Sequence, residues 1–159
     1  MSTDHHARGG AAVGHLNTVE RWEADLVVNL RLWCEGPQGR HQIRDDYDAA
    51  FPGEGASGEF EAFETLLHQI IAGARRPLVR HSVGCGCIGC DEAVFLNLVR
   101  TAAEGHAREA ALIATLLLSA HQAEEVAQLA RRVGLSAQRM HNNIPEHITP
   151  ARPPNATLH

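Results

Sequence analysis

The sequence contains no lysine, and all 14 of its basic residues are arginine. This absence excludes Schiff-base chemistry on a lysine amine and the lysine of a phosphate-binding P-loop. Aromatic residues make up only 4% of the chain, and 19 acidic residues give it a formal net charge of −5. A negative net charge argues against a protein that coats nucleic acid or anionic lipid non-specifically.

Long apolar runs are also missing. The longest one, near residues 110–120, is shorter than the ~20 residues that a bilayer span needs. The first 14 residues lack the basic start and apolar stretch of a signal peptide. We therefore expect a cytoplasmic protein with no membrane partner, in which thiols stay reduced.

The chain of 159 residues, 44% of them hydrophobic, is large enough for one domain with one core. Residues 1–16 predict a flexible N-terminal leader and residues 144–159 a Pro-rich C-terminal tail, which leaves 17–143 as a single helical domain. No segment alternates with period two for long enough to predict a sheet. The predicted fold class is therefore all-α, a compact bundle of five or six helices.

Helical periodicity and capping residues place the helices of this bundle. Asn17 and Glu20 have the spacing of a capping box at the start of the first helix. Residues 36–56 predict a long connection with a short helix near 45–51, and Gly134 predicts a break near the C-terminal end. The principal predicted helices are 17–35, 57–73, 91–103, 106–119, 122–133 and 136–143.

A Gly- and Cys-rich loop before the predicted third helix carries the clearest chemical signal. Three cysteines, Cys85, Cys87 and Cys90, fall within six residues, and His81 precedes them. Together they offer the Cys3His donor set of a tetrahedral zinc ion, and the glycines between them allow positive-φ turns that fold the thiolates inward. We predict that these four residues bind a zinc ion with a mainly structural role.

The loop leaves other interpretations open. Because so short a loop strains to surround an ion, the fourth ligand could instead be Cys34, Asp91 or Glu92. An iron–sulfur cluster is the less favoured cofactor, because the cysteine spacing matches neither ferredoxin pattern. A dithiol oxidoreductase acting through Cys87 and Cys90 is an alternative function. No catalytic residue stands out, so a binding or regulatory role is favoured over an enzyme.

Residues 126–143 resemble a helix-turn-helix, with Gly134 at the turn. The resemblance implies a transcription regulator that senses metal or redox state through the cysteine loop. In it, the second helix would present four residues to DNA, namely Gln138, Arg139, His141 and Asn142. Asn143 stands where that motif has an apolar residue, and nucleic acid is not the favoured partner. We expect a protein or small-molecule partner that the sequence does not identify, and homo-oligomerisation stays open.

Overall fold

The computed structural model describes residues 11–53 and 55–143, so the first ten residues of the predicted leader and the whole predicted tail lie outside the described residues. The described part is a mostly helical bundle with six α-helices, as predicted, and one small sheet. In chain order the elements are β1 (Ala12–His15), a 3-10 helix (Leu16–Thr18), α1 (Arg21–Glu35), α2 (Pro37–Ala50), α3 (Gly55–Gly73), β2 (Cys87–Gly89), α4 (Cys90–Ala103), α5 (Ala107–Ala114) and α6 (Ala120–Asn143).

One hydrophobic core lies between α1, α3, α4 and α6. Each of these helices turns an apolar stripe inward at helical spacing, as amphipathic helices do. Burying each Leu or Phe of such a stripe contributes about 1.5–3 kcal/mol. Representative buried side chains are Leu26, Val27, Leu30, Phe63, Leu67, Ile70, Phe95, Leu98, Val99, Val126, Ala130 and Val133.

Helix α2 occupies most of the segment for which a long connection was predicted, so that prediction is wrong, although the short helix predicted near 45–51 coincides with the C-terminal half of α2. Gly36, with a φ of 116°, ends α1, and Pro37 begins α2 immediately. Proline suits this first helical position because its fixed φ is already helical. Three buried residues at spacings of four and three, Ile43, Tyr47 and Ala50, hold α2 to the core.

Helix α6 is one uninterrupted helix, so the predicted break at Gly134 is wrong. Gly134 is buried against α4. A Cβ added to it would lie 2.8 Å from Ala103 Cβ and 3.0 Å from Val99 Cγ1. The glycine therefore serves the close approach of two helices instead of a turn.

The small sheet was not predicted, and it includes residues assigned to the leader. Strand β1 pairs antiparallel with β2, and its partners are Ala12 with Gly89, Gly14 with Ile88 and His15 with Cys87. The Leu16 N–H extends the pairing by donating to the Gly86 carbonyl at 2.8 Å. Strands of four and three residues are too short to give a period-two pattern, which is why the sequence did not reveal them.

Two helix boundaries also differ from prediction. The capping box at the start of α1 joins Glu20 and Glu23, one turn later than the predicted Asn17 and Glu20. Helix α5 ends at Ala114, earlier than the predicted residue 119.

None of the helices within the described ranges combines the length and apolarity needed to cross a membrane.

Candidate functional site

A completely buried ion pair supports the cysteine loop, which we define as residues 81–90. Arg31 of α1 donates from Nε to Glu92 Oε1 at 2.7 Å and from Nη2 to Glu92 Oε2 at 2.9 Å. Both side chains have 0% exposure. Such a bidentate pair fixes the guanidinium plane as well as its position.

The remaining donors of Arg31 reach the backbone of the loop. Nη1 donates to the carbonyls of Ser82 at 3.2 Å and Cys85 at 2.6 Å, and Nη2 donates to the carbonyl of Cys87 at 2.5 Å. All five N–H groups of the guanidinium therefore have acceptors. These contacts fix the backbone conformation of the loop at Cys85 and Cys87.

Glu92 completes this network from the other side. It accepts the N–H of His81 at 3.0 Å and that of Gly89 at 2.9 Å. Burial opposes ionisation of Glu92, but hydrogen bonds from Arg31, Gly89 and His81 outweigh it and hold the pKa of Glu92 below its usual value. A charged carboxylate at this position is stable because each of its oxygens is fully hydrogen-bonded.

Cys85 and Cys87 are the two cysteines that the loop brings together. The Cys87 N–H donates to Cys85 Sγ at 3.5 Å. A hydrogen bond between the two thiol groups and repulsion by the negative charge of a Cys85 thiolate raise the pKa of the Cys87 thiol. Both residues are partly exposed and neither forms a disulfide. Two neighbouring sulfurs of this kind can bind one soft cation.

Cys90 and His81 lie elsewhere on the loop. Cys90 is partly buried and begins α4, next to Asp91, which forms an ion pair with Arg76. The His81 ring lies over Gly89, and its Nε2 is buried without a hydrogen-bond partner in the described part of the chain. Across residues 11–53 and 55–143, no group of three or more His, Cys, Asp or Glu side chains is arranged to hold a metal ion. The four-residue ligand set therefore stays a prediction.

The three alternative fourth ligands have other surroundings. Asp91 accepts two hydrogen bonds from Arg76, at 2.7 and 2.8 Å, and one from the Val79 N–H at 2.7 Å. Glu92 is enclosed by Arg31. Cys34 lines a cavity of about 210 Å³ whose described lining also includes Asp91 and Glu92 but none of the three loop cysteines. Burial raises the pKa of the Cys34 thiol.

The glycines of the loop have a different role from the predicted one. None of Gly84, Gly86 and Gly89 has a positive φ, so the prediction of left-handed turns is wrong. A Cβ added to Gly86 would lie 2.7 Å from Cε1 of His15, and one added to Gly89 would lie 3.3 Å from Cδ2 of His81. Gly86 and Gly89 therefore make room for imidazole rings.

His15 is the residue at this site that sequence reasoning missed. It was assigned to a flexible leader, yet it lies in β1 opposite Cys87. Its ring lies over Gly86, the residue between the two neighbouring cysteines. The number of histidines was visible in the sequence, but nothing local linked position 15 to a loop some 70 residues later.

The four residues predicted to read DNA lie on the last turns of α6. Arg139 is held by Glu59 of α3 at 3.5 Å and stacks on Phe51, with Cζ 5.2 Å from the ring centroid. Because α6 is continuous, the two-helix geometry of a helix-turn-helix is absent from residues 126–143. DNA binding itself stays untested.

Comparison with known proteins identifies no relative: no family model, no curated protein and no solved structure matches this chain. The fold and the site together define a helical bundle with a two-stranded sheet and a cysteine loop supported by a buried ion pair.

Proposed function

We propose that this protein binds zinc at the cysteine loop and that the metal has a structural or regulatory role. The observation that carries the proposal is the pair of neighbouring thiols, Cys85 and Cys87, on a backbone fixed by Arg31. A support of this kind lowers the cost of ordering the ligands when the ion binds. Thiolates are preferred zinc ligands, and each thiol releases a proton when it binds.

The other two positions of a tetrahedral site come from the remaining donors of the loop, Cys90 and His81. The buried Nε2 of His81 has no partner among the described residues, and a metal bond would satisfy it. Because the described residues contain no ready-made ligand group, loading requires rotation of side chains about their χ angles. Partly exposed cysteines make such rotations on a fast timescale.

A non-catalytic role is supported by the carboxylates next to the loop. Asp91 and Glu92 are the nearest candidates for a general base, and both are bound by arginines and backbone amides. A general base must reach the proton that it removes. Neither carboxylate is free to do so without breaking an ion pair.

Elemental analysis combined with thiol counting tests this function. We expect protein purified without chelator to contain about one zinc per chain and to show fewer reactive thiols than its four cysteines. Cys87→Ser should lower the zinc content, whereas the control Cys34→Ser should leave it unchanged. Four reactive thiols in a protein that takes up no added zinc would contradict the proposal.

A dithiol function is the second candidate, and the adjacency of Cys85 and Cys87 favours it. The reacting pair would then be Cys85 and Cys87 instead of the Cys87 and Cys90 pair that the sequence suggested. The raised pKa of Cys87 reduces the thiolate fraction and so weakens this candidate. Rapid and reversible loss of two thiols on mild oxidation, with no zinc bound, would favour it over metal binding.

A further inference from the structure

The pairing of β1 with β2 brings an imidazole to the thiol pair. His15 and Cys87 are direct partners in the antiparallel ladder. Directly opposed residues project their side chains on the same face of a sheet, with Cβ atoms about 4.5–5.5 Å apart. We therefore expect the Cβ atoms of His15 and Cys87 to lie on the same face of this small sheet.

The His15 ring lies in close contact with Gly86. A Cβ on Gly86 would lie 2.7 Å from Cε1 and 2.9 Å from Nε2 of that ring. The imidazole thus covers the residue that separates Cys85 from Cys87. The two thiols and the imidazole thus lie around Gly86 and come from two segments far apart in sequence, although within the described residues they are not yet arranged as a ligand group.

We propose that His15 supplies the imidazole ligand to the metal held by Cys85 and Cys87, so that the ion fastens the N-terminal strand to the cysteine loop. This inference rests on the proposed function: it keeps the thiol pair and replaces the two donors at the Gly89 end of β2, His81 and Cys90, with His15. With His15 as a ligand, metal binding also attaches β1 to the loop, which a site built from loop residues alone would not do.

The geometry of β2 separates the two candidate imidazoles. His15 lies at Gly86 and His81 lies at Gly89. At about 3.3 Å per residue along extended backbone, the two glycines are about 10 Å apart. The thiol pair is at the Gly86 end, and His15 is exposed, so its ring can rotate toward the sulfurs without repacking the core.

The same arrangement makes attachment of β1 depend on metal. A two-stranded sheet of this size is marginally stable on its own. All residues of β1 are exposed, so little apolar burial holds the strand in place. A metal bond from His15 adds a fixed point beside the hydrogen bond from Leu16 to Gly86. Loss of the ion then releases the strand, and metal availability controls whether β1 is attached to the cysteine loop.

Zinc titration of the full-length chain and of two pairs of variants tests whether His15 is a ligand. His15→Ala should weaken zinc affinity more than about tenfold, since even loss of a second-shell partner costs 10–100-fold. The control His41→Ala removes an exposed histidine of α2 and should bind as the parent does. Gly86→Ala should displace the His15 ring and weaken binding. Gly84→Ala should not, because its Cβ meets nothing within 4 Å.

Hydrogen exchange at the Leu16 amide gives a second readout. Zinc should slow this exchange in the parent protein and have no effect on it in His15→Ala. If His15→Ala binds zinc as tightly as the parent and still shows this protection, His15 is not a ligand, and zinc binding by the loop survives. If His81→Ala abolishes binding while His15→Ala does not, the inference is likewise overturned. If the parent itself takes up no zinc, the proposed function fails together with the inference.

Discussion

At the scale of single residues, Arg31 has the largest influence on the candidate site. Its guanidinium joins α1 to the carboxylate of α4 and to three carbonyls of the cysteine loop. A buried charge is tolerated only when its hydrogen bonds are complete. Removing even one contact leaves a buried group without a partner, so the site and the fold depend on the same side chain.

Arg31→Lys is expected to destabilise the protein by about 3 kcal/mol. An ammonium group has three donors at one atom and cannot reproduce five donors in a plane. Breaking a buried ion pair costs about 3–5 kcal/mol, and the retained charge places lysine at the lower end. Urea unfolding measures the change.

Arg21→Lys is the matched control, because Arg21 is about half exposed and lies 3.6 Å from Asp25 on the surface of the same helix. Its effect should be under about 1 kcal/mol. Equal stabilities of the Arg31 and Arg21 variants would show that the buried network does not hold the loop.

The residue scale also shows what the sequence could reveal of the site. Cys85 and Cys87 were found because donor type and spacing are local properties. Arg31 and His15 were not, because their roles depend on contacts with residues 51 or more positions away. Arg31 follows Leu30 on the buried face of α1. An arginine within an apolar helix face was the one local signal that Arg31 is buried and paired.

At the scale of elements, the contact between α4 and α6 depends on a glycine. Gly134→Ala should destabilise the protein by about 1–3 kcal/mol, the usual cost of overpacking. This outcome runs against helix propensity, which favours alanine over glycine by about 1 kcal/mol. The added Cβ would lie 3.0 Å from the Val99 carbonyl oxygen, and backbone at that distance has little room to move.

Gly58→Ala in α3 is the control for this effect. Its Cβ would meet only Arg132 Nη2, at 3.2 Å, and a flexible side chain can move away. We expect this variant to be unchanged or slightly more stable in thermal unfolding. If Gly134→Ala were the more stable of the two, α4 and α6 would not pack as closely as the structure shows.

The elements differ in how well the sequence predicted them. Helices α1, α3 and α4 have strong apolar stripes and were found within a few residues. Only the C-terminal half of α2 was predicted, as a short helix near 45–51, because its three buried apolar side chains are surrounded by charged residues. The length of α6 was misjudged because a glycine that allows packing looks the same in sequence as one that ends a helix. Contacts between elements, which decide such cases, are not visible locally.

At the scale of the whole molecule, the cysteine loop connects three elements of the fold. Arg31 ties it to α1, Glu92 ties it to α4, and β2 ties it to the N-terminal strand. A conformational change of the loop therefore alters its contacts with α1, α4 and β1. This connectivity supports the regulatory role that we propose for the metal, because binding at the loop would act on the attachment of the N-terminal strand.

Acid stability of the molecule is expected to depend on Glu59, which joins α3 to α6. Burial opposes its ionisation, but hydrogen bonds from Ser136 and Arg132 outweigh this and lower its pKa. A carboxyl with a depressed pKa stabilises the fold above its unfolded pKa of about 4.3. This stabilisation is lost as the pH falls through the folded value.

Glu59→Gln should therefore be less stable than the parent at pH 7, by a few tenths to about 1 kcal/mol because the arginines are largely exposed. The difference should shrink as the pH falls below the unfolded pKa of about 4.3 and vanish once the carboxyl of the folded parent is protonated as well. Urea unfolding from pH 7 to pH 2 measures it. Glu61→Gln, at an exposed position of α3, should show little difference at any pH. A Glu59→Gln deficit that stays constant into acid would mean that the carboxylate charge does not link α3 to α6.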